Sequence, residues 1–200
     1  MKISPLDRVL LLIIGILAAY QIAVGIDGFD TLPIIAYTIA FGVLLVAGLL
    51  LIILGFDVLD SPVVVIVSTI IPLSLSLGLV WQHASFRTSY LIFTIIGFAA
   101  VTLTRSIHTP GKTPTIVLAF VHGIAGMTIF LLPIITSMQG KAHPFFSLVG
   151  IGGALIGIGG LLLSFLKTGR PILSRETILK VLPSLLLLMT ICFVTGFKYG

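Results

Sequence analysis

From Val9 onward the chain reads as long apolar runs broken by short polar gaps, and the runs fill most of its 200 residues. They are continuous rather than alternating, which excludes barrel strands, where lipid-facing and lumen-facing positions alternate. A hydrocarbon layer about 30 Å thick takes roughly 20 apolar residues of helix, and backbone groups in lipid must be satisfied within the segment. The pattern predicts seven helices: Val9 to Ile26, Leu32 to Phe56, Val63 to Trp81, Ser89 to Thr104, Thr115 to Met138, Phe145 to Leu166 and Val181 to Phe197. Proline marks four starts, because Pro33, Pro62, Pro114 and Pro144 fall in first turns, where a missing N–H costs nothing. The fourth run is short and bounded by Arg87 and Arg105, so six helices form the alternative.

Charge separates the two arrangements. With seven helices, Lys2, Arg8, Arg105, Lys112, Lys167, Arg170, Arg175 and Lys180 share one side, against Arg87, Lys141 and Lys198 on the other. The positive-inside rule then places the N-terminus in the cytoplasm and the C-terminus outside, with Asp27 and Asp30 in an outer loop. Six helices would strand Lys2 and Arg8 on the less basic side. The expectation is an all-α polytopic integral membrane protein of the plasma membrane: a bundle of seven transmembrane helices, N-in and C-out, forming a single domain over residues 1–200 with no soluble domain.

Composition agrees, since 58% hydrophobic residues, 8% charged residues and a mean hydropathy of +1.29 lie far from globular values. The net charge of +5 does not imply nucleic acid, because the basic residues lie in short loops beside helix ends, where they act as topology signals and contacts for anionic lipids. The lone Cys192 excludes an internal disulfide. Lys2 and Arg8 precede a run that resembles a signal peptide but lacks a small-x-small cleavage site, so the first helix is expected to be retained.

Inside the runs, polar chemistry is sparse. No Asp, Glu, Lys or Arg falls within a predicted span, which argues against an ion-coupled pump or a voltage sensor. Lys180 and Lys198 sit at helix ends, so neither suits a mid-helix retinal Schiff base. His122 is the one ionisable side chain within a span, and Ala119, His122, Gly123 and Gly126 share a helical face that a neighbouring helix or a flat cofactor could approach. Packing, with His122 hydrogen-bonded to a facing helix, is the plainer expectation, and a cofactor-binding His122 the sharper one. Haem b would need a second axial ligand at similar depth. His108, His83 and His143 do not clearly supply it, and His83 and His143 lack the further ligands of a metal site.

Two further features carry expectations. Gly150, Gly153, Ala154, Gly157, Gly160 and Ser164 form a small-residue stripe along the sixth span, suited to close helix packing, most simply within the chain. Ser68, Pro72 and Ser76 form a polar seam in the third span that, with Gln21 and a kink at Pro133, would line a polar cleft if its hydroxyls do not simply satisfy the broken helix. Neither a nucleophile with its base nor a phosphate loop appears, and no catalytic or metal residue is assigned. The expected function is non-enzymatic: a subunit of a larger membrane complex, or a carrier or binder of a lipophilic or neutral small molecule. No cofactor is assigned, and the expected partners are membrane lipids and other membrane subunits. The alternative is a haem- or quinone-binding electron-transfer subunit using His122.

Overall fold

The computed structural model describes residues 3–26, 28–107, 111–167 and 173–199, with side chains omitted at 164–167. Lys2, Asp27, His108, Arg170 and the side chains of Ser164 and Lys167 therefore lie outside the described residues. The chain forms seven long helices: α1 (Pro5–Val24), α2 (Thr31–Leu54), α3 (Pro62–His83), α4 (Arg87–Ser106), α5 (Thr113–Met138), α6 (Ser147–Lys167) and α7 (Arg175–Phe197). Short 3₁₀ turns at Phe56–Asp60 and Pro144–Phe146 lead into α3 and α6, and no strand occurs among the described residues. All seven helices are long and apolar enough to cross a membrane.

Helix ends differ from the hydropathy boundaries where polar residues cap them. Ser4 and Asp7 form a reciprocal capping box: the Ser4 N–H donates to Asp7 Oδ2 at 2.9 Å and the Asp7 N–H donates to Ser4 Oγ at 3.1 Å. With Pro5 in the first turn, this starts α1 four residues before the apolar run. Ser174 caps α7 in the same way, accepting from the Thr177 N–H at 3.1 Å, so that helix begins at Arg175 rather than Val181. The sixth run begins with a 3₁₀ turn, and α6 proper starts at Ser147. The doubtful fourth run becomes a helix of 20 residues, about 30 Å long and sufficient to span.

Six of the helices close a ring, in which each packs on its neighbours in the order α1, α2, α3, α5, α6, α7 and back to α1. Helix α4 stays outside it, in the groove between α3 and α5. The ring is filled by one core that includes Tyr37, Phe41, Leu79, Phe146, Phe193 and Phe197. A separate small core of Leu73, Val101, Val121 and Ala125 fastens α4. Gly97 allows this approach, since a Cβ there would lie 3.3 Å from a Val121 methyl. The Tyr90 hydroxyl strengthens it by donating to Thr128 Oγ1 on α5 at 3.2 Å, with the Ser76 hydroxyl of α3 beside the same phenol.

An odd number of helices puts the two chain ends at opposite ends of the bundle, and the contacts agree. At the amino-terminal end, Arg175 of α7 meets Asp60 of the 3₁₀ turn at 3.1 Å and Asp57 at 3.9 Å. At the carboxy-terminal end, His143 stacks on Tyr199 and Arg87 lies over Trp81.

Candidate functional site

The candidate site lies on α5 around His122. His122 is half-buried, and its Nδ1 lies 3.1 Å from Leu118 O. A carbonyl only accepts, so Nδ1 carries the hydrogen and Nε2 keeps its lone pair. The expected hydrogen bond to a facing helix is replaced by one within α5. A Cβ at Gly123 or at Gly126 would meet nothing within 4 Å, and Ala119 and Gly123 are exposed. The small residues thus floor an open groove rather than a helix contact.

Helix α4 packs on the side of α5 marked by Val121 and Thr128 and carries two further polar groups. Thr102 and Arg105, three residues apart, lie on one side of the helix. Thr102 Oγ1 and Arg105 Nε are buried and have no hydrogen-bond partner among the described residues. Arg105 forms no ion pair among the described residues. The antiparallel pairing of α4 with α5 is fixed by Tyr90 with Thr128 and Gly97 with Val121.

The other residues singled out from sequence separate into different places. Gln21 is buried on α1 and donates to Gly25 O at 2.9 Å. Ser68 donates to Val65 O at 3.1 Å, and Ser76 donates to Pro72 O at 2.6 Å, so the seam on α3 back-bonds to its own helix. Helices α1 and α3 are not neighbours in the ring, and Gln21 does not join Ser68, Pro72 and Ser76 in a cleft. Pro133 is buried in α5.

The glycine stripe divides. A Cβ at Gly150 would lie 2.5 Å from Phe130 O, and one at Gly153 would lie 2.7 Å from Ile129 Cγ2, so this half touches α5. Ala154 is half-buried beside them. Gly157 and Gly160 have open space instead, which departs from a continuous packing surface. Gly152 and Gly159, outside the expected stripe, face Phe193 and Leu185 of α7.

His83 and His143 both lie at the carboxy-terminal end, but in separate settings. His143 Nδ1 accepts from the Phe145 N–H at 3.2 Å. His83 packs on Phe146 with ring centroids 4.9 Å apart. No group of three His, Cys, Asp or Glu suited to a metal ion occurs among the described residues. His83 belongs to a closed circuit of rings with Phe29, Tyr37, Phe197 and Phe146, whose successive centroids are 4.5–6.3 Å apart. Within this circuit, Tyr37 Oη and His83 Nε2 are buried without a hydrogen-bond partner among the described residues. Sequence spacing gave no sign of this circuit, since its members come from five separate segments.

The ring interior is closely filled. The crevice lined by Gln21, Gly25, Tyr37 and Phe41 has room for one water molecule at most. No family model, curated protein or solved structure matches this chain.

Proposed function

We propose that this chain is a non-enzymatic multi-pass protein of the plasma membrane, oriented N-in and C-out, that holds a lipophilic small molecule in the open groove of α5 beside His122. The orientation rests on the concentration of Lys and Arg at the amino-terminal end. The observation that carries the binding reading is the combination of an intramembrane imidazole with exposed Ala119 and Gly123 and open space beside Gly123 and Gly126. Intramembrane ionisable groups are costly and mark functional sites by default. A flat or chain-like apolar ligand fits such a floor, whereas a side chain larger than glycine would fill it.

The test is to purify the protein in mild detergent and identify co-purifying small molecules by mass spectrometry, for wild type and Gly123→Leu. A lipophilic species retained by the wild type and lost from a folded Gly123→Leu protein supports the reading. No retained species, or equal retention by both, rejects it and favours the structural role of a complex subunit. A second reading is supported by the His122 tautomer: with Nδ1–H held by Leu118 O, the free Nε2 is the nitrogen a haem iron would take. A Soret band lost in His122→Ala would establish that alternative.

A further inference from the structure

We infer that Phe29 plugs a second binding site at the carboxy-terminal end of the bundle, and that this site takes a flat lipophilic ring bearing a hydroxyl, which displaces the Phe29 side chain and meets Tyr37 Oη and His83 Nε2. The site is separate from the α5 groove at His122 and does not depend on it.

The first argument is the pair of orphaned atoms. Tyr37 is 1% exposed and His83 is half-buried, and neither Tyr37 Oη nor His83 Nε2 has a hydrogen-bond partner among the described residues. Buried polar atoms are normally satisfied, so an orphaned one needs an explanation. The two rings share one neighbour: Phe29 stands edge-on to Tyr37 at 5.8 Å and to His83 at 6.1 Å between ring centroids. Their other neighbours differ, Phe197 for Tyr37 and Phe146 for His83. A ring in the place of Phe29 therefore adjoins both, and Phe29 itself has no polar atom to offer them. A hydroxyl suits this pair because it both donates and accepts. It can accept from the phenol, and it can serve the imidazole in either tautomer.

The second argument is which ring can give way. A Cβ at Gly78 would overlap Tyr37 Cε1 and Cζ, so the phenol is pressed against α3, with Phe197 of α7 on it at 4.5 Å. Tyr37, Phe146 and Phe197 are at most 2% exposed, and they and His83 all sit on helices or on the 3₁₀ turn before α6. Phe29 alone is both half-buried and outside a helix. It lies in the connection between α1 and α2, next to Gly28, whose φ of +84° favours glycine. The hydrogen bond that ties this connection to α3 is long, with the Asp30 N–H donating to Gln82 Oε1 at 3.4 Å. The crevice that Tyr37 lines with Gln21 and Gly25 has room for one water molecule at most, so a ring enters only by displacing one already present. In the orientation proposed above, the connection lies at the outer membrane surface, where rings with an apolar body and a polar tip collect.

The experiment follows the binding of 4-fluorophenol and fluorobenzene to the full chain in mild detergent by fluorine NMR, two probes that differ only in the hydroxyl. Phe29→Ala should bind 4-fluorophenol about tenfold more tightly than wild type, because the half-buried plug no longer competes. Tyr37→Phe or His83→Phe in the Phe29→Ala background should each weaken 4-fluorophenol about fivefold, the contribution of one buried hydrogen bond, and leave fluorobenzene unchanged. Phe29→Leu, which keeps most of the apolar volume, takes the place of Phe29→Ala if circular dichroism shows the latter unfolded, and should bind with an affinity between the two. Equal binding of 4-fluorophenol by wild type and the Phe29 variant overturns the inference. So does a hydroxyl preference that survives both ring substitutions. Binding that Gly123→Leu abolishes also overturns it, since the probe then sits in the α5 groove. Phe29-dependent binding that Gly123→Leu leaves intact supports this site whether or not that groove holds a ligand.

Discussion

Two alanine substitutions on one helix should move stability in opposite directions. A methyl group added at Gly150 would lie 2.5 Å from Phe130 O and 2.7 Å from Ile134 Cγ1. The isoleucine can rotate away, but the carbonyl belongs to the backbone of α5, so α5 and α6 must separate. Overpacking of this kind costs about 1–3 kcal/mol, while replacing glycine by alanine inside a helix returns about 1 kcal/mol. Gly150→Ala should therefore destabilise by up to about 2 kcal/mol. A methyl at Gly157 meets nothing within 4 Å. Gly157→Ala should then gain up to about 1 kcal/mol from helix propensity alone. Reversible unfolding in mixed micelles with increasing dodecyl sulfate, followed by circular dichroism, measures both. The sign is the test. If Gly157→Ala costs as much as Gly150→Ala, that face of α6 is covered, by a second copy or another subunit, and the open stripe is misread. If Gly150→Ala is neutral, α5 and α6 do not approach as described.

Three further outcomes follow from single polar atoms. Tyr90→Phe should loosen α4 by about 0.6 kcal/mol and at most about 1.7 kcal/mol, the range for interhelical hydrogen bonds in membranes; a double-mutant cycle with Thr128→Val in the same unfolding assay should show that coupling, and additivity would refute the bond. Tyr37→Phe should be neutral or stabilising, because the hydroxyl it removes has no partner among the described residues; a loss above about 1 kcal/mol would mean that the hydroxyl is hydrogen-bonded after all. His122→Leu should cost less than about 1 kcal/mol, since its bond to Leu118 O is local and that carbonyl also sits in the α5 backbone ladder; a larger loss in the micelle assay would mean that the imidazole reaches another helix.

Much of the helix inventory was legible because hydropathy and proline position report on a single segment at a time. Pro62 and Pro114 mark starts that agree with α3 and α5 to within two residues. The boundaries that moved, at α1 and α7, were set by Ser4 with Asp7 and by Ser174, polar caps that extend a helix into residues a hydropathy window rejects. The ring order was not legible, and neither was the place of α4 outside it. Apolar side chains face lipid and protein alike in such a bundle, so hydrophobicity does not say which face of a helix meets which neighbour. For the same reason the glycines of α6 could be seen, but not their division among α5, α7 and open space.

The polar residues divide in a more instructive way. Their spacing showed which ones shared a helical face, but not whether each would be satisfied by its own helix. Ser68, Ser76, Gln21 and His122 all turn back to carbonyls of the segment that carries them or its immediate end. That is the cheap solution in an apolar medium, since the partner is always within reach, and it removes these residues as evidence for a polar cleft. The informative groups are those for which the local solution fails. Thr104 donates to Ala100 O at 2.8 Å, one turn back on α4. Thr102, two positions earlier on the same helix, has no such bond. Arg105 resembled a topology signal in the sequence because its charge was counted and its surroundings were unknown. The structure buries its Nε, like the Thr102 hydroxyl one turn back, without a partner among the described residues, so the charge that marks topology also leaves an unsatisfied donor at that end of α4.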